Sequence, residues 1–75
     1  MRFKGEYLKE QRELQGYSLT QLGDMVNAHY STISAWELSK RNPNMEYLYK
    51  FAYIFDCYIE DFIQVSDKEL PDIWS

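Results

Sequence analysis

The residue types that carry covalent or metal chemistry are few in this 75-residue chain, and they are scattered. His29 is the single histidine and has no second ligand at metal-binding spacing, so it reads as a solvent-facing cap residue. Cys57 is the single cysteine, set among apolar neighbours, and reads as a buried or half-buried structural thiol. Glu60 and Asp61 are adjacent, so on a helix their carboxylates point apart. They read as first-turn residues that favour the helix dipole, not as an acid–base pair. No nucleophile–base pair, metal cluster or phosphate-binding loop is evident, and nothing supports an enzyme. No catalytic residue, metal or cofactor is expected.

The informative segment is Ser18–Glu37, SLTQLGDMVNAHYSTISAWE. Two short helices joined by a tight turn cross at close range and need a small residue where they touch. Gly23 supplies it. The turn needs a residue that accepts positive φ, and Asn27 tolerates that conformation. Counted from Leu19 as position 1, the apolar residues Leu22, Val26, Ala28, Ile33 and Trp36 fall at 4, 8, 10, 15 and 18. Gly23 and Asn27 fall at 5 and 9. These offsets specify a helix-turn-helix.

The elements that must position this unit follow from the same rules. A first helix is expected over about Glu6–Gln15, stopped by Gly16. Ser18 caps a second helix over about Leu19–Val26, with Leu19, Leu22 and Val26 inward. A third runs over about Tyr30–Leu38, with Ile33 and Trp36 inward. Asn42-Pro43 breaks the chain, and Asn44 caps a fourth helix over about Met45–Phe55. Its stripe is Met45, Leu48, Phe51, Ala52 and Phe55. A short fifth helix is expected over about Ile59–Gln64. No stretch of useful length alternates with period two. The expectation is five helices and no sheet.

Composition sets the frame. The mass suits one domain, whose core can draw on 45% hydrophobic and 17% aromatic residues. A lone cysteine excludes an internal disulfide scaffold and fits a reducing, cytoplasmic setting. There is no membrane-length apolar run, and the first ten residues lack a signal-like apolar region. The net charge of -4 is unevenly spread: residues 1–50 sum to +1 and residues 51–75 to -5. The acidity belongs to the C-terminal third, so it does not exclude a nucleic-acid surface on the rest.

Over about Tyr7–Ile63 the chain resembles the Cro/C1-type (Xre-like) helix-turn-helix family of phage and bacterial regulators. The resemblance rests on LKEQR at Leu8–Arg12, GYSLTQLG at Gly16–Gly23, STIS at Ser31–Ser34, and WE at Trp36–Glu37. KRNPN at Lys40–Asn44 and LYKFA at Leu48–Ala52 complete it. The GYSL start also resembles the biofilm-repressor branch. The resemblance implies an all-α, compact five-helix, lambda-repressor-like domain over residues 1–63. The helix-turn-helix would span about 18–38, with a recognition helix at about 30–38 in the DNA major groove. It implies a sequence-specific, DNA-binding transcriptional regulator, a repressor, acting on double-stranded DNA as a homodimer.

Family positions that face bases fall on His29, Tyr30, Ser31, Thr32, Ser34 and Ala35. Ser31 and Ser34 can donate or accept, and Ala35 can pack on a thymine methyl. Phosphate contacts are expected from Lys40, Arg41 and Asn42, and from the N-terminus of the second helix at Ser18–Leu19. A dimer so equipped would neutralise about four to six phosphates and show a log-log salt slope near -4 to -5. Arg12 and Glu37 match a structural ion pair of the family. Two positions depart from the pattern: Leu19 stands where the family has Gln, and Asn27 where it has Gly. The outer face of the third helix offers no Arg, Gln or Asn, which points to readout by shape or to weak readout.

Residues 64–75 form an acidic C-terminal tail in which Leu70, Ile73 and Trp74 are embedded. The alternative function is an antitoxin-like or antagonist protein-interaction module on the same scaffold, with a protein partner reached through this tail. No membrane association is expected.

Overall fold

The computed structural model describes residues 2–64. It contains four α-helices: α1 (Gly5–Leu14), α2 (Leu19–Val26), α3 (Tyr30–Glu37) and α4 (Met45–Phe55). A 3-10 turn at Ile59–Phe62 follows them. Two short strands, β1 (Arg2–Phe3) and β2 (Ile63–Gln64), pair antiparallel with Arg2 opposite Gln64 and Phe3 opposite Ile63.

The caps explain the helix boundaries. Ser18 accepts the Gln21 N–H at 3.0 Å while the Gln21 side chain accepts the Ser18 N–H at 2.7 Å. This reciprocal capping box starts α2. Asn44 accepts the Tyr47 N–H at 3.2 Å and starts α4. At the end of α1, Tyr17 N–H bonds the Arg12 carbonyl and Gly16 N–H bonds the Glu13 carbonyl, a Schellman closure.

The all-helical expectation holds, but its fifth helix and its lack of any sheet are corrected. The segment after Asp56 makes one 3-10 turn, started by the Asp61 carboxylate accepting the Tyr58 N–H at 3.0 Å. The backbone then leaves the helical region, because Lys4 N–H claims the Phe62 carbonyl at 2.7 Å and β1 pairs with β2. Strands of two residues leave no alternation to read in a sequence.

The core is Phe3, Leu8, Leu22, Val26, Ile33, Trp36, Leu48, Phe51, Phe55 and Phe62. Each such side chain contributes about 1.5–3 kcal/mol on burial. Phe51 is the hub of its aromatic part, with ring centroids 5.8 Å from Trp36, 6.4 Å from Phe55 and 6.0 Å from Phe62. Met45, expected on the inward stripe, is exposed because that stripe runs out at the first residue of α4.

Two close backbone approaches fix the position of α3. A Cβ at Gly23 would run into the carbonyl oxygen of Ala28, so α2 and the turn meet only because Gly23 has none. A Cβ at Gly5 would run into the carbonyls of Trp36 and Glu37. The first turn of α1 therefore sits directly on the last turn of α3, a contact the sequence did not reveal.

Candidate nucleic-acid interface

α3 is held at both ends and along its inner face. Asn27 takes the left-handed conformation (φ 60°) that the α2–α3 turn requires. Ile33 and Trp36 anchor the helix in the core. At its C-terminus, Ser39 N–H bonds the Trp36 carbonyl and Lys40 N–H bonds the Ala35 carbonyl, with Ser39 itself at φ 60°. This second Schellman closure turns the chain sharply, so Lys40, Arg41 and Asn42 follow directly on the end of α3. All three are exposed. Among the described residues neither Lys40 nor Arg41 joins an ion pair.

The expected base-facing residues divide by exposure. His29, Tyr30 and Ser31 are exposed, while Thr32, Ser34 and Ala35 are half-buried. His29 is the N-cap of α3. Its Nδ1 accepts the Ser31 N–H at 3.2 Å and lies 2.7 Å from Ser31 Oγ. The His29 and Tyr30 rings lie 4.4 Å apart between centroids.

At the start of α2, the capping box occupies the Ser18 N–H and one lone pair of its hydroxyl. The Ser18 hydroxyl hydrogen and the N–H groups of Leu19 and Thr20 keep no bond to the described chain. The Leu19 side chain packs half-buried against the core, so its offering at this helix end is its backbone.

Arg12 ties this surface to α1. Its Nε donates to Glu37 Oε2 at 2.7 Å, one terminal nitrogen to Glu37 Oε1 at 3.2 Å, and the other to the Tyr17 carbonyl at 2.8 Å. The two side chains are only 12% and 6% exposed. Hydrogen bonding to Glu37 raises the guanidinium's pKa further, against the opposing cost of desolvation.

Lys50 adds a brace that sequence reading missed: its Nζ donates to the Val26 carbonyl at 3.2 Å, at the C-terminus of α2. Gln21 was missed as well, although Ser-x-x-Gln is a readable capping signature. A separate apolar groove of about 520 Å³, between α2 and α4, is lined by Met25, Tyr49, Lys50, Tyr53 and Ile54. Among the described residues no cluster of His, Cys, Asp and Glu could hold a metal ion. No described helix is long and apolar enough to cross a membrane.

Two helices joined by a turn that packs on a glycine, the second of them offering polar side chains from its first turn, define the helix-turn-helix class. Residues 8–62 match the family model described as Helix-turn-helix, and the chain belongs to that family. A protein of Archaeoglobus fulgidus named as an uncharacterized HTH-type transcriptional regulator is 33% identical over 63 residues, spanning 84% of this chain and 90% of its own. The P22 c2 repressor in complex with a synthetic operator superposes with a TM-score of 0.77 at 26% identity, over 85% of this chain and 97% of that one. SinR, the master regulator for biofilm formation, in complex with DNA gives a TM-score of 0.71 at 26% identity, over 80% and 97%. The family and these neighbours are DNA-binding transcription regulators rather than enzymes.

Proposed function

We propose that the protein is a sequence-specific transcriptional repressor that binds double-stranded DNA as a homodimer. Residues 1–63 are the DNA-binding domain, and α3 enters the major groove. His29, Tyr30, Ser31, Thr32, Ser34 and Ala35 face base edges. Lys40, Arg41, Asn42, the Ser18 hydroxyl and the Leu19 N–H grip phosphates on either side. What supports this reading is the exposed start of α3, His29–Ser31, together with exposed Lys40, Arg41 and Asn42 and the N–H groups left without a bond to the described chain at the start of α2.

The test is selection from a random duplex library at two salt concentrations. Enrichment of a palindrome with half-sites about 34–36 Å apart, and affinity that falls with salt, supports the reading. Recovery of no sequence and no retention at low salt overturns it.

A second reading, a protein-interaction module of the antitoxin or antagonist kind, is favoured by the groove between α2 and α4, where Tyr49 and Tyr53 are exposed. The acidic segment first linked to such a partner, residues 64–75, lies outside the described residues apart from Gln64.

A further inference from the structure

We infer that the His29–Ser31 cap sets the polarity of base recognition. His29 presents a hydrogen-bond donor that disfavours cytosine, and Ser31 presents an acceptor. The inference rests on the proposed reading of bases by α3 and assigns what this part of the helix reads.

The reasoning is one of donors and acceptors. A backbone N–H can only donate, and the Ser31 N–H points at His29 Nδ1 at 3.2 Å. Nδ1 must therefore accept, so the neutral ring carries its hydrogen on Nε2. Ser31 Oγ lies 2.7 Å from the same Nδ1. With an acceptor there, the hydroxyl hydrogen of Ser31 is directed inward and its oxygen is left with lone pairs only. The ring is further steadied by Tyr30, whose centroid is 4.4 Å away. His29 and Ser31 are both exposed, so a fixed Nε2–H and an acceptor oxygen are offered to solvent.

In the major groove guanine presents two acceptors, O6 and N7, adenine one at N7 and thymine one at O4, whereas cytosine presents only an amino donor. The amino donors of adenine and cytosine suit the oxygen of Ser31, and cytosine alone offers nothing to the Nε2–H. The short helix thus carries a donor and an acceptor in fixed order, without any Arg, Gln or Asn on its outer face. A free serine hydroxyl would rotate to suit either kind of base, and this one does not.

The test compares three proteins in the random duplex selection: wild type, His29→Asn and His29→Asp. Asn and Asp both cap helices well, so α3 keeps its start, and they differ only in what they turn outward. Melting followed by circular dichroism checks that both variants fold. Wild type and His29→Asn should deplete cytosine about tenfold at one position of each half-site, and His29→Asp should lose or invert that depletion.

Equal loss of the cytosine depletion in both folded variants overturns the assignment of polarity. A uniform fall in affinity for His29→Asp, with unchanged base frequencies, places His29 on a phosphate and overturns it too. In either case an enriched wild-type palindrome leaves the proposed function standing. A wild type that enriches nothing overturns both. Ser31→Ala, which keeps the backbone N–H bonded to His29, gives a second measure: the base frequencies at one neighbouring position should relax, and no change there overturns the acceptor role.

Discussion

The Arg12 guanidinium and the Glu37 carboxylate lock α1 to α3 through two hydrogen bonds, at 2.7 and 3.2 Å, across 25 residues of sequence. The same guanidinium closes on the Tyr17 carbonyl, so one side chain joins the first helix, the loop after it and the end of α3. Arg12→Met leaves a buried carboxylate unpaired and should cost about 3–5 kcal/mol. Pairing it with Glu37→Leu removes that charge and should recover much of the loss. Urea unfolding of the two single variants and the double variant measures both effects. A double variant no more stable than Arg12→Met would remove the buried-charge explanation.

Ser39 holds the left-handed conformation at the end of α3, where glycine carries no Cβ penalty. Ser39→Gly should raise stability by about 0.5–1 kcal/mol, a rise of roughly 2–8 °C in melting temperature for a domain of this size. Ser39→Val should lower it. Thermal melts of the two variants should move in opposite directions.

Lys40 and Arg41 leave the end of α3 as exposed cations without ion-pair partners among the described residues. Lys40→Ala with Arg41→Ala should weaken binding to all duplexes alike and reduce the salt slope by about two per subunit. Tyr30→Ala with Ser34→Ala should weaken the selected site more than random duplex while leaving the slope nearly unchanged. Fluorescence anisotropy at several salt concentrations separates the two patterns. If the first pair leaves the slope intact, the phosphate assignment fails.

Burial pushes the Cys57 thiol upward, opposed by its hydrogen bond to Tyr7, and burial likewise raises the Tyr7 hydroxyl. The fold therefore holds these protons more tightly than the unfolded chain does. Their contribution to stability is fully present below the unfolded thiol value, about 8.5. It is lost as pH rises through the higher folded values. The urea midpoint should fall between pH 8 and pH 10, and less steeply in Cys57→Ala. Iodoacetamide at pH 8 should label native Cys57 more slowly than the urea-unfolded chain. A pH-independent midpoint would contradict this linkage.

What was legible in the sequence and what was not divide along one physical line. α2 and α4 begin and end where local chemistry dictates: Ser18 and Asn44 carry their own capping oxygens, and Asn27 and Asp56 accept the left-handed turn. Gly23 was legible because a fixed spacing demanded a small residue there. Gly5 was not, because the carbonyls it approaches belong to Trp36 and Glu37, more than thirty residues away. Ser39 was hidden for a different reason: serine has no marked preference for positive φ, and tertiary context imposed it. The strands at Phe3 and Ile63 exist only as partners of each other, so neither announces itself alone. At the candidate interface, α3 and the exposure of His29, Tyr30 and Ser31 were readable, while the half-burial of Thr32, Ser34 and Ala35 was not. The two contacts of His29 Nδ1 with Ser31 were not readable, because they depend on side-chain rotamers.

The pairing of Arg2 with Gln64 has a mechanical consequence. Because the strands are antiparallel, the two ends of the folded unit emerge side by side and in the same direction. A force drawn between them would not shear the ribbon. It would peel the ribbon open, one bond after another, before tension reached any helix. Each helix would then be loaded from its end rather than along its length. Such a domain should yield at low pulling force even where its resistance to heat or urea is high.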